Sequence, residues 1–228
     1  MEKHDKGYTL IELLVVLALM TIAFSFVIVN TMNNDGMSLK SSQRILSAVA
    51  QGAKGQAIMK QSSARLIIYA DQSEGSDANK YLRYVGIVTQ DPSNPRKWIA
   101  GTDGTYLPKG IYFMPELSQI ANGRGKRIGK MYLEYPRIQS QFNDRRSGEE
   151  YYYYEFNANG TMGANFVNAW LIFGVGDLIP KGNRQLDVSF DNPSNELLKS
   201  GLIFRKVGST TLVTDADQIN RITERNDR

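Results

Sequence analysis

The chain has 228 residues, of which 42% are hydrophobic and 22% charged, a balance that excludes extended disorder. It contains no cysteine, which excludes a disulfide framework and thiol catalysis, and one histidine. The formal net charge of +4 is only weak evidence for an acidic partner.

The first feature in chain order is "KGYTLIELLVVLALMTIAFSFVIVNTMNNDG", residues 6–36. From Tyr8 to Val29 there are 22 residues, and Glu12 is the single charged one. As a helix this run covers about 33 Å, close to the roughly 30 Å of a bilayer's hydrocarbon core. A secretory signal has a shorter apolar run of about 7 to 15 residues and then a small-residue cleavage site. Neither fits, so a retained membrane helix is expected over residues 8–30. An acid near the middle of such a helix costs about 2.5 to 3.5 kcal/mol, less toward an end. Glu12 therefore calls for a partner.

Asn33-Asn34-Asp35-Gly36 reads as a breaker. Beyond it, helical spacing places Leu46, Val49, Ala53 and Ala57 on one face, with Ser38 as the N-cap. Residues 31–63 thus read as an amphipathic second helical segment that packs on a sheet. Gly52 and Gly55 each lower its propensity by about 1 kcal/mol relative to Ala.

From there the pattern becomes β. Strands are expected at 64–70, 81–90, 110–115, 130–135, 150–157, 168–176 and 201–209, where β-branched and aromatic residues lie between Gly, Pro, Asn and Asp clusters. Residues 64–214 are expected to form one antiparallel β domain, and 215–228 a flexible tail. In the run Tyr151–Tyr154 alternation should bury one pair and leave the other outside as a contact surface.

Candidate chemistry is sparse. "NGRGKRIGK" brings together Arg124, Lys126, Arg127 and Lys130 but lacks phosphate-loop spacing, and reads as a solvated basic loop. The tail carries Arg221, Arg225 and Arg228 among acids. These seven bases are where DNA or another polyanion would be met. Asp215 and Asp217 alternate as calcium ligands do, without the later Gly and Glu of an EF-hand loop, so no metal site is assigned. Asn159-Gly160-Thr161 reads as a tight turn. Glu149 and Glu150 are adjacent on a strand and point to opposite faces, which does not make an acid–base pair. No catalytic residue and no cofactor is expected.

Gly7, Tyr8, Thr9, Leu10, Ile11, Glu12, Leu13, Leu14, Val15 and Val16 resemble the processing and methylation signature of the type IV pilin and pseudopilin superfamily. The resemblance implies that residues 1–7 are a leader, that a prepilin peptidase cuts after Gly7, and that it methylates the new amine of Tyr8. His4, the one histidine, would then be lost with the leader. Glu12 would stand at the fifth mature position, as the charge partner of a neighbouring subunit's amine. The implied fold is α+β and pilin-like: a long N-terminal helix whose first half spans the membrane and whose second half packs on an antiparallel sheet. The implied place is the bacterial inner membrane, crossed once, with the C-terminal domain in the periplasm, and then a pseudopilus or pilus filament. Orientation rests on the resemblance, because Glu2 and Asp5 offset Lys3 and Lys6 in the leader. Implied partners are the peptidase, other pilin or pseudopilin subunits, the inner-membrane assembly platform and membrane lipid.

The small-residue helix leading to the strand at Arg65, "YYYEFNANGTMG" and "GLIFR" resemble the H-type minor pseudopilin of type II secretion and FimT-like minor pilins. A minor pseudopilin is the function expected. A type IV pilus or DNA-uptake minor pilin is the alternative, as is a signal-anchored periplasmic β domain.

Overall fold

The computed structural model describes residues 10–31, 35–73, 75–118, 128–137, 140–145, 148–181, 185–214 and 218. It divides into two compact units, Met1–Met37 and Ser38–Arg228. The first holds helix α1 (Leu10–Thr31) and the start of α2 (Asp35–Lys60). Of the expected breaker, Asn33 and Asn34 lie outside the described residues, while Asp35 and Gly36 form the first turn of α2. Asp35 suits that place because a carboxylate there meets the positive end of the helix dipole. Ser38 is therefore not the N-cap; it lies within the helix, and its carbonyl accepts the Ser42 hydroxyl at 2.8 Å.

The second unit contains β1 (Ala64–Tyr69), β2 (Tyr84–Asp91), β3 (Asn94–Ala100), β4 (Thr105–Tyr106), β5 (Ile111–Phe113), β6 (Lys130–Leu133), β7 (Gln141–Phe142), β8 (Glu149–Phe156), β9 (Trp170–Val175), β10 (Asp177–Lys181), β11 (Gln185–Ser189), β12 (Lys199–Phe204) and β13 (Thr210–Val213). Every pairing between these strands is antiparallel. The seven-stranded sheet runs β6-β8-β1-β2-β3-β7, with β4 beside β2; the four-stranded sheet runs β13-β12-β9-β5, and β10 and β11 form a hairpin. The fold is α+β, as expected.

Each of the seven expected strands overlaps an observed one, but their edges move. Residues 81–83 form a turn ahead of β2, with Leu82 at a φ of 54°, and the expected strand at 201–209 is cut by the turn that carries Gly208. Strands β3, β4, β7, β10, β11 and β13 were not expected. Pro95 lies in β3 and Pro180 in β10, where Pro argues against a strand, and β4 and β7 are only two residues each.

Leu46, Ala50, Ala53 and Ala57 of α2 are buried on one face. The stripe passes through Ala50; Val49, which was expected in it, is half-buried and packs at its border. Small residues let the helix approach the sheet closely: a Cβ at Gly52 would lie 3.0 Å from Ile87 Cδ1. Leu66, Ile68, Val85, Ile87, Tyr154 and Phe156 meet the helix from the large sheet, and Leu171, Phe173, Leu202 and Phe204 join from the smaller one.

The opposite face of the large sheet has a core of its own, including Ile67, Tyr69, Val88, Trp98, Met131 and Tyr151. That overturns the expectation for the tyrosine run. Tyr151 and Tyr154 are both fully buried on opposite faces, and Tyr152 and Tyr153 are half-buried against the same two cores. No tyrosine pair is left outside because the sheet curls over its second face until its edges meet. The Tyr132 N–H donates to Asn143 Oδ1 and the Glu134 N–H to Gln141 Oε1, both at 2.9 Å. Side chains thus stand in for a ladder between β6 and β7, and the edge is no longer open.

One end of this second core is closed by Arg65. Its guanidinium carbon lies 4.0 Å from the ring centroids of both Trp98 and Tyr153, and Nη2 reaches Glu155 Oε2 at 2.6 Å. The other end holds Glu149, which accepts the Tyr151 hydroxyl at 2.8 Å and that of Tyr69 at 3.3 Å. Burial pushes the Tyr84 phenol up to about 12, and the Tyr69 and Tyr151 phenols are raised too, so these hydroxyls keep their protons.

Tyr151 tests this core. Tyr151→Ala should destabilise the chain by about 3 to 5 kcal/mol, and Tyr151→Phe, which loses only the bond to Glu149, by about 0.5 to 1.5 kcal/mol. Urea unfolding measures both; an alanine variant within about 1 kcal/mol of the parent would mean that the second face is not a packed core.

Candidate assembly site

Helix α1 has 22 residues, LIELLVVLALMTIAFSFVIVNT, with Glu12 in its first turn. No proline or glycine interrupts it, so nothing in the sequence breaks the hydrogen-bond ladder. Its side chains are described as far as Thr21, whose hydroxyl is satisfied within the helix by the Ala18 carbonyl at 2.8 Å. Leu10, Ile11, Leu13, Leu14, Val15, Val16, Leu17, Leu19 and Met20 are each exposed by 50% or more. Near-consecutive positions on a 3.6-residue repeat point in every direction, so the helix is apolar all round. A surface of that kind is favourable only when other apolar groups cover it.

Within this surface Glu12 is the one carboxylate. At a helix N-terminus it gains from the positive end of the dipole, typically 0.3 to 1 kcal/mol, roughly, at an exposed site. That is less than the cost of taking the charge into hydrocarbon. Gly7 and Tyr8 lie outside the described residues. Among the described residues no helix is long and apolar enough to cross a membrane, so the single pass expected from residues 8–30 is a matter for proposal.

The polyanion candidates do not come together as a described site. Arg124, Lys126, Arg127, Arg221, Arg225 and Arg228 lie outside the described residues, as do Asp215 and Asp217. Lys130 opens β6 and is engaged: Nζ bonds Glu150 Oε2 at 2.5 Å and lies 5.1 Å from the Tyr152 ring centroid. Glu150 also accepts the Tyr132 hydroxyl, while Glu149 serves the tyrosines of the second core, so the adjacent acids do face apart. Among the described residues no three His, Cys, Asp or Glu side chains converge as a metal site would require. Asn159-Gly160-Thr161 forms the expected turn, with the Gly160 N–H on the Asn157 carbonyl at 2.8 Å. The stacked Arg65 was legible only as the head of a strand, since its aromatic partners come from β3 and β8, far off in sequence.

Residues 3–28 match the family model of the prokaryotic N-terminal methylation motif. No curated protein and no solved structure matches the chain. The match takes in Gly7, Tyr8 and Glu12 and most of α1, and it gives the chain the amino-terminal signature of the type IV pilin and pseudopilin superfamily.

Lys130 offers a check on the basic loop. Because Glu150 already neutralises it, Lys130→Gln should leave retention on immobilised DNA unchanged across a salt series, at a stability cost of up to about 1 kcal/mol. A drop in the salt slope by about one counterion would instead make Lys130 a phosphate contact.

Proposed function

We propose that the chain is a prepilin-type precursor of a minor pseudopilin, a structural subunit of a type II secretion pseudopilus. The observation that carries the proposal is the methylation motif at residues 3–28, whose described part, from Leu10, lies on a helix that exposes apolar residues on every side and keeps one carboxylate in its first turn. In this proposal a prepilin peptidase cuts after Gly7 and methylates the amine of Tyr8. The apolar segment 8–30 then holds the subunit in the inner membrane, with the β domain in the periplasm, until the assembly platform draws it into a filament.

Glu12 supplies the register. A new ammonium carried into a bundle of apolar helices is strongly unfavourable without a counter-ion. A carboxylate about 4 Å away attracts it by roughly 4 kcal/mol at an effective dielectric near 20. Glu12 lies four residues beyond Tyr8 in sequence, a spacing that a continuous helix would turn into about 6 Å of rise. A neighbour displaced along the axis by about that distance places its carboxylate beside the amine, whereas apolar packing alone tolerates many offsets. The role is structural, and the chain is the substrate of the peptidase rather than an enzyme. A type IV pilus or DNA-uptake minor pilin has the same amino-terminal chemistry with different partners, and a signal-anchored periplasmic domain is the case in which Gly7 is never cut.

The intact mass and N-terminal fragment spectrum of the protein from its own membranes test the processing step, with Gly7→Ala alongside. The expected result is a chain beginning at N-methylated Tyr8 and an unprocessed variant. An uncut chain in cells with an active prepilin peptidase would overturn the proposal.

A further inference from the structure

The chain enters the second unit at Ser38, and Lys60 lies about 33 Å further along the same helix. Strand register assembles the loops at that remote end. Ala64, just past α2, pairs with Thr89 and with Phe156, so the last turn of the helix shares the end with the β2–β3 turn and the turn after β8. The β12–β13 turn joins them: the Met162 N–H donates to the Lys206 carbonyl at 3.0 Å, and Lys54 Nζ donates to the Val207 carbonyl at 2.9 Å. Gly160 and Gly208 have φ values of 78° and 72°, and a Cβ at Gly208 would collide with the Gly160 carbonyl oxygen, so only glycine lets the two turns touch. A Cβ at Gly160 would in turn meet Ile58 Cδ1 at 2.7 Å, which puts the helix end and both turns in one surface.

That surface leaves three aliphatic side chains in solvent, with Ile58 exposed by 48%, Met59 by 73% and Val207 by 63%. Lys54, Lys60, Arg205 and Lys206 stand around them, and none takes part in an ion pair among the described residues. Lys60 donates to the Thr89 hydroxyl at 3.0 Å, and Arg205 to the Thr211 hydroxyl at 2.9 Å and Asn168 Oδ1 at 3.5 Å. Such neutral partners hold the side chains without cancelling their charge. Glu155 and Asp91 share this end but do not offset the four cations. Glu155 is taken by Arg65, while Asp91 accepts the Ser140 hydroxyl at 2.6 Å and has Arg96 on its own hairpin.

We infer that this end docks on the surface of a bilayer rich in anionic phospholipid. The negative headgroups meet the four cations, and the three aliphatic side chains enter the boundary between headgroups and acyl chains, an environment that rewards both features at once. Lysine suits the rim because its stem lies along apolar surface while its ammonium stays among the headgroups. A nucleic acid would meet the same cations but leave Ile58, Met59 and Val207 in water, since a phosphate backbone offers them nothing apolar. The glycine contact between the turns fixes the patch beforehand, so docking costs little ordering. The inference rests on the proposed function for its setting: with residues 8–30 in one membrane, this end meets a second bilayer, and the domain bridges the two.

Vesicle capture tests it. The full chain, purified from its own membranes, is held by its apolar helix in nanodiscs of neutral phosphatidylcholine on a sensor surface. It should capture vesicles containing roughly 30% phosphatidylglycerol about tenfold more than vesicles of phosphatidylcholine alone, and release them as salt rises to about 0.5 M. The vesicles carry no copy of the chain, so self-association gives no signal. Lys60→Glu with Lys206→Glu should cut capture at least tenfold, and Met59→Ser with Val207→Ser several-fold, both at an unchanged urea midpoint. Lys40→Glu with Lys109→Glu, the same change in charge at the Ser38 end, should leave capture as it was. Equal capture of neutral vesicles, capture indifferent to Lys60 and Lys206, or retention of a DNA duplex in place of vesicles would overturn the inference. Processing at Gly7 is scored by mass on the same preparations. Capture by uncut chain keeps the docking surface and removes its setting, while no capture by correctly cut chain removes the surface and leaves the proposed function standing.

Discussion

A carboxylate on an apolar helix must either stay in water or meet a cation, and that constraint on Glu12 organises the function proposed for this chain. Leu10 to Met20 offer almost nothing but hydrocarbon around it, exposed on all sides. Any environment that covers those residues also threatens to desolvate the acid. A membrane covers them while Glu12 sits near its surface; a helix bundle covers them if it brings a cation. In the proposed assembly, that cation is the new amino terminus made by processing at the methylation motif that includes Glu12.

The β domain solves its own burial problem without outside help. A sheet with a helix on one face normally leaves the other to solvent or to a partner. Here the second face closes on itself, with Arg65 between Trp98 and Tyr153 at one end and Glu149 beneath two tyrosines at the other. Arg65 is matched within the domain by Glu155 and Lys130 by Glu150. Apolar surface on the domain is therefore confined to small patches, in contrast to α1.

Much of this was legible from the sequence, for identifiable reasons. The apolar run and its acid are a contiguous signal, so α1 and Glu12 could be read directly. The helix at α2 and the strands rich in Val, Ile and Tyr declared themselves by periodicity, though the buried stripe shifted from Val49 to Ala50 because tight packing favours the smaller side chain. Strands such as β3 and β10 were missed because their Pro and polar residues mark loops, and tertiary pairing overrode that local preference. The tyrosine run was half understood: alternation correctly separated Tyr151 from Tyr154, but whether the second face is covered depends on β6 and β7 meeting through Asn143 and Gln141. Closure of that kind has no local signature.

The most direct measurement on the central claim is the amount of Glu12→Gln subunit recovered in sheared filaments, relative to the amount processed and held in the membrane. Gln keeps the shape and removes the charge. If Glu12 neutralises a neighbour's amine, the variant should be cut and methylated normally yet enter filaments at least tenfold less than the parent, about 1.4 kcal/mol or more of lost docking. Incorporation equal to the parent at equal processing would contradict a charge-pairing role for Glu12.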